Sequence, residues 1–237
     1  HLGAFDVTLH DETTTRFMLA LQGPKALDLL QPFVPQPLAP IKYYHAIETT
    51  IGTAPALISR TGYTGEDGFE IVAPNEKIEA IWNRLLDTGK PFELKPAGLG
   101  ARDTLRTEVC YPLYGHELDE STTPIEAGVG FFVAFEKGEF IGRSVLAEQK
   151  AGGLKKKLIA FKMTDKSAPP RPHYPIWVNG APAGEVVSGT QSPSLNLGIG
   201  MGYVPPQFAT TDTKIEIEIR GKRFAAAVVK KPIYRKN

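Results

Sequence analysis

A chain of 237 residues with 42% hydrophobic and 22% charged residues has enough apolar side chains for a buried core. That excludes wholesale disorder and allows one large domain or two modest ones. A formal net charge of +1, with no basic stripe interleaved with aromatics, argues against a nucleic-acid partner. The single cysteine, Cys110, excludes an intrachain disulfide, and no apolar run approaches the roughly 18 residues of a membrane span.

The chain opens at His1, not at a methionine, and runs at once into strand-like FDVTL, residues 5–9, so no signal peptide is expected in these residues. RFMLALQG, residues 16–23, predicts a short buried strand, and PKALDLLQPF a short helix with Pro24 near its start. Proline-rich FVPQPLAP is a surface connector. YYHAIETTI and APALISR flank Gly52 as a hairpin, and GFEIVA, residues 68–73, continues as a third strand. NEKIEAIWNRLLDTG predicts a helix with Asn75 as its N-cap, Gly89 at its end, and an apolar stripe of Ile78, Ile81, Trp82, Leu85 and Leu86. AGLGARDTLRTEV is a further helix, stopped by Pro112, and GRSVLAEQKAGG the last. Beyond residue 150 only short strands follow: LIAFKM, PIWV, GEVVSG, GIGMGYV, KIEIEIR and FAAAVV. Asn179-Gly180 and Gly221 make hairpin turns. The fold class is therefore α+β: an antiparallel sheet with flanking helices over residues 1–150, then a small all-β barrel or sandwich over 151–237.

Several motifs fail on inspection. HELDE, residues 116–120, starts like a zincin helix, but Glu120 stands where the second histidine must be. The five histidines never pair at ligand spacing, so no metal site is expected. In GIGMGY, Tyr203 stands where a dinucleotide fingerprint needs its third glycine. Lys155, Lys156 and Lys157 read as a solvated face.

RTGYTGEDGFEI, residues 60–71, is too rich in glycine and polar groups for a plain connector. Strand alternation turns Glu70 away from Phe69 and Ile71, and Gly62 and Gly65 let the backbone bend near Tyr63. Arg102 and Arg106 lie one helical turn apart, with Asp103 between them. These residues alone suggest a polar site for a flat heterocycle. Taken one by one, they better suit a solvent-facing acid, a turn aromatic and two surface arginines.

RTGYTGEDGFEI, GLGARDTLR, YPLYGHEL and TPIEAGVGFFVAFEKGEFIGR, followed by RPHYPIWVNGAPAGEVVSGTQSPSLNLGIGMGYV and KPIY, together resemble the glycine cleavage system T-protein family, the aminomethyltransferases. The likeness extends over nearly the whole chain. It implies three domains in a cloverleaf, with roughly a hundred further residues ahead of FDVTL, so that this sequence matches the C-terminal two-thirds. It implies transfer of a one-carbon unit from the aminomethyl-dihydrolipoyl arm of H-protein to tetrahydrofolate, as co-substrate, with release of ammonia and without a metal.

The resemblance carries Glu70 onto the glutamate that holds the pterin, Tyr63 onto a pocket tyrosine and Arg102 onto an arginine of the same site. Tyr43 aligns with a further pocket aromatic. Phe131 stands where many relatives have tryptophan, and Tyr234 and Arg235 lie in a tail that approaches the pocket. The family's catalytic aspartate belongs to the upstream part, and Asp6, Asp11 and Asp67 do not replace it. The 237 residues alone are therefore expected to be inactive. The implied location is the cytoplasm in a bacterium or the mitochondrial matrix in a eukaryote. Two alternatives remain open: the folate domain of a demethylating flavoprotein oxidase, and a non-catalytic folate-binding relative. An iron–sulfur-linked branch with a cysteine in its KGCY-type motif is disfavoured, because EKGEFIGR has none.

Overall fold

Period-two alternation builds the first sheet. In the computed structural model, which describes residue 3 and residues 5–235, the chain divides into units of residues 1–98 and 99–237. The first unit holds β1 (Arg16–Gln22), β2 (Ala46–Ile51), β3 (Ala54–Ser59) and β4 (Gly68–Pro74). They form an antiparallel sheet in the order β1-β4-β3-β2. Leu19 and Leu21 of β1 share a face with Phe69, Ile71 and Ala73 of β4 and with Ala54, Ala56 and Ile58 of β3. Helices α1 (Ala26–Leu30) and α2 (Asn75–Gly89) cover this face through Leu29, Leu30, Ile81 and Leu85. Among the described residues of this unit, no helix covers the opposite face.

Three local expectations change here. FDVTL forms no strand among the described residues, and Phe5, Val7 and Leu9 stay exposed. Alternation without a neighbouring strand does not make one. Asn75 is the first helical residue and not the cap. Its Nδ2 donates to Thr14 O at 2.7 Å, tying α2 to the entry of β1. Trp82 leaves the predicted stripe and is 39% exposed. The sheet it would reach is filled by Ile81 and Leu85, which lie on one line along the helix.

The second unit contains α3 (Leu99–Glu108), α4 (Arg143–Lys150) and six strands: β5 (Lys157–Met163), β6 (Pro175–Val178), β7 (Ala181–Ser192), β8 (Leu197–Val204), β9 (Lys214–Ile219) and β10 (Lys222–Val229). The strands close as a barrel in the order β10-β5-β8-β7-β6-β9, and closure removes the exposed edges of an open sheet. Ile159, Phe161, Ile176, Val186, Ile217 and Val228 fill one cluster. Leu158, Ala160, Ile199, Met201 and Tyr203 form another on the opposite strand faces. With both faces covered, β5 and β8 are almost continuously apolar.

Gly200 and Gly202 gain a packing explanation. A Cβ at 200 would lie 2.5 Å from Phe161 Cζ, and one at 202 would lie 2.5 Å from Ile176 Cδ1. The glycines make room for bulky neighbours inside a small barrel. Lys156 is not wholly solvated either. Its Nζ sits 4.8 Å from the Tyr203 ring and donates to Thr122 Oγ1 at 2.8 Å. Among the described residues no helix is long and apolar enough to cross a membrane.

Candidate functional site

Strand register places Glu70 on the uncovered face of the first sheet, opposed by Ala20 on β1 and Ser59 on β3. The next row on that face is Met18, Val72 and Leu57. All three are at least partly exposed. A carboxylate thus stands at the margin of a small apolar platform. Thr61 Oγ1 donates to Glu70 Oε2 and is itself 2.9 Å from Ser59 Oγ. A carboxylate has about four acceptor positions, so further donors can be received.

The loop between β3 and β4 carries Tyr63, and its polar residues have a definite task. Arg60 Nε and Nη2 donate to Asp67 Oδ1 and Oδ2 at 2.9 and 2.6 Å. Arg60 Nη1 also donates to the carbonyl oxygens of Ala39 and Ile41 at 3.1 and 2.9 Å. Its guanidinium lies 5.4 Å from the Tyr43 ring centroid. One arginine therefore pins both loop ends and the Tyr43 segment. Gly65 is needed for its left-handed backbone, φ 77°. Gly62 leaves room for a side chain: a Cβ there would lie 2.1 Å from Gln22 Oε1, so the Gln22 amide would have to move. Gln22 Nε2 meanwhile donates to Thr61 O and Phe69 O at 3.0 and 3.3 Å.

The fork from Arg60 lowers the Asp67 pKa from its ordinary 3.8, against a smaller opposing effect of burial. A carboxyl held low in the folded state adds stability above its unfolded pKa. That contribution is lost as the pH falls through the folded value. The difference in melting temperature between the native chain and Asp67→Asn is thus expected to be constant at neutral pH. It should shrink only below about pH 4, once the unfolded carboxyl begins to take its proton. A difference unchanged down to about pH 2 would reject the clamp.

In the second unit, Arg102 lies on the exposed first half of α3, and Phe131 lies in a 3-10 turn at residues 130–132. Phe131 is 78% exposed, with its ring centroid 4.2 Å from that of Phe132. Arg106 behaves unlike its neighbour one turn earlier. It is 1% exposed, with Asp103, Glu117 and Ser188 around its guanidinium. Glu108 is buried as well and accepts from Ser192 Oγ and Ser194 Oγ. The backbone N–H of Tyr234 donates to Glu108 O at 2.9 Å, fastening the tail to the end of α3. Tyr43, Tyr63 and Glu70 thus belong to the first unit, and Arg102 and Phe131 to the second. Among the described residues no three His, Cys, Asp or Glu side chains converge as metal ligands.

The buried anchors escape sequence reasoning. HELDE begins like a metal motif, yet Glu117 is the acid that meets Arg106, while His116 Nδ1 lies 2.8 Å from Val187 O. The available signal is an acid shortly after an arginine-bearing helix, and that pattern is too common to single out.

Comparison with known proteins gives two family matches: the GCVT N-terminal domain over residues 1–137 and the glycine cleavage T-protein C-terminal barrel domain over residues 156–235. An aminomethyltransferase of Bacillus licheniformis is 47% identical over 233 residues, covering 98% of this chain and 64% of the relative. One from Caldanaerobacter subterraneus subsp. tengcongensis is 45% identical over 236 residues, covering 99% of this chain and 63% of the relative. The crystal structure of glycine cleavage system aminomethyltransferase T from Bartonella henselae matches with a TM-score of 0.83 and 32% identity. That match covers 92% of this chain and 60% of the other. The chain spans less than two thirds of the length of these relatives. From both family matches, the antiparallel sheet and the closed barrel, the chain belongs to the glycine cleavage T-protein family.

Proposed function

We propose that this chain supplies most of a tetrahydrofolate site in an aminomethyltransferase of the glycine cleavage system. The observation that carries this reading is the Glu70 carboxylate, steadied by Thr61 on an open, partly apolar sheet face. A pterin is flat and presents adjacent N–H donors on one edge. The carboxylate accepts that edge and the platform receives part of the ring. Tyr63 and Tyr43 supply aromatic faces and hydroxyls, Phe131 a further ring, and Arg102 a guanidinium donor. Residues 1–150 act as the folate-binding region and residues 151–237 as the barrel domain.

In this reading the lipoyl arm of H-protein brings an aminomethyl group on sulfur. The carbon–sulfur bond breaks, releasing the dihydrolipoyl thiol. The carbon becomes bound to two nitrogens of tetrahydrofolate, and its amino group departs as ammonia. Holding the folate nitrogens against that carbon is the main task left to the protein. The 237 residues by themselves are expected not to turn over, because the family resemblance assigns the catalytic aspartate to a part upstream of them. The setting is the bacterial cytoplasm or the mitochondrial matrix.

The test is an assay of the whole protein with aminomethylated H-protein and tetrahydrofolate. Methylenetetrahydrofolate and ammonia should appear in equal amounts, and neither should form when one co-substrate is left out. A whole protein that yields neither product with both present would overturn the reading.

A further inference from the structure

The Arg106 guanidinium is held from several sides. Nε and Nη2 donate to Asp103 Oδ1 at 2.9 and 2.6 Å. Nη1 donates to Glu117 Oε2 at 2.9 Å and to Tyr111 O at 3.4 Å, and Nη2 donates to Ser188 Oγ at 2.7 Å. The partners come from α3 itself, from the loop after it and from β7. Glu117 is fully buried and is fastened in turn: its Oε2 accepts from Leu113 N at 3.0 Å, and its carbonyl accepts from the Tyr203 hydroxyl at 2.7 Å.

Ser188 reaches this cluster because β7 is irregular. The register shifts between Val186 and Ser188, so Val186 pairs with Gly202 while Ser188 pairs with Met201. In a regular strand, residues two apart share a face. Here the extra residue, Val187, sends Val186 to one side and Ser188 to the other. Val186 packs with Phe161 and Ile176, whereas Met201 belongs to the second cluster. The bulge aims a hydroxyl at the arginine.

Of the Arg106 partners, Glu117 on the loop after α3 and Ser188 on β7 lie outside the helix, and a planar fork held by both fixes the rotation of α3 and its position along its own axis. Arg102 is one turn earlier on that helix. We infer that Arg106, Glu117 and Ser188 are positioning residues that hold α3 against the barrel so that Arg102 is presented to folate. This inference rests on the folate reading above.

The experiment uses the whole protein and compares tetrahydrofolate affinity in Arg102→Ala, Glu117→Gln and the double variant, with thermal melts alongside. Arg102→Ala should weaken binding about 10-fold or more, the loss of a charge-assisted hydrogen bond. Glu117→Gln keeps the shape and removes the charge. Alone it should weaken binding about 3–10-fold, and on top of Arg102→Ala by less than about 2-fold, because both act through one guanidinium. Ser188→Ala, a lighter change, should show the same dependence on Arg102 and serves if Glu117→Gln does not fold. An equal loss in both backgrounds would mark the cluster as merely structural and overturn the inference. So would a full effect of Arg102→Ala with none from Glu117→Gln or Ser188→Ala. If Arg102→Ala itself leaves affinity unchanged, the folate role of Arg102 fails first, and this inference falls with it.

Discussion

Glu117→Ala is expected to destabilise the second unit by about 3–5 kcal/mol, the usual cost of removing one partner from a buried ion pair. Arg106 and Glu117 are 1% and 0% exposed. Asp103 remains as a partner, but its side chain is 47% exposed. Leu113 N also loses its acceptor. What hurts is that the buried guanidinium keeps only the half-exposed Asp103 as a counter-charge. The double variant Arg106→Met/Glu117→Ala should therefore be more stable than Glu117→Ala alone, because an apolar side chain needs no counter-charge. Urea unfolding of the native protein and both variants measures the two differences. A double variant less stable than the single would show that the arginine contributes more through Asp103, Ser188 and its packing than through its pairing with Glu117.

The same cluster shows where the sequence is silent. Arg102 and Arg106 are four residues apart, so helical periodicity assigns them one face. Their environments diverge because only the C-terminal half of α3 lies against the barrel, with Arg106, Thr107 and Glu108 all buried. That depends on where β7 returns, with Ser188 82 residues beyond Arg106, and no local pattern encodes it. The bulge at Val187 is equally hidden, since EVVSG reads as ordinary strand. By contrast, the elements themselves are legible. Period-two alternation in FEIVA places Glu70 opposite Phe69 and Ile71, and β4 keeps that division. Turn chemistry at Asn179-Gly180 and Gly221 marks hairpins that the barrel contains. Alternating glycines in GIGMGY are a signal of close approach within a strand, and the structure gives them that role.

The β3–β4 loop is legible only in outline. Its density of glycines and charges signals a constrained backbone. However, the division of labour arises only in the folded loop: Arg60 and Asp67 as a clamp, Gly62 as room for Gln22, Thr61 as support for Glu70. The partner strand supplying Gln22 comes from far upstream. Most of the polar groups that make this loop look like a site therefore build it, and only a few remain to meet a ligand.

Glu70 is foremost among those few, and its replacement carries the second large effect. In the whole protein, Glu70→Gln and Glu70→Ala should each weaken tetrahydrofolate binding. A hydrogen bond to a charged group contributes about 1.5–3 kcal/mol, so each one removed should reduce affinity roughly 10- to 150-fold. Glutamine is the sharper probe. It keeps the size of the side chain, but an amide can turn an N–H donor toward ring N–H groups that need acceptors. Thr61 should still find an oxygen, so the fold should melt at nearly the native temperature. Glu48→Gln is the matched control. Glu48 pairs with Leu57 on the same uncovered face, two strands from β4, and undergoes the same change of charge. If Glu48→Gln weakens folate binding as much as Glu70→Gln does, the effect is one of overall field. If neither does, Glu70 is an ordinary surface acid and the pterin lies elsewhere. Only a loss confined to position 70 places the ring against this sheet.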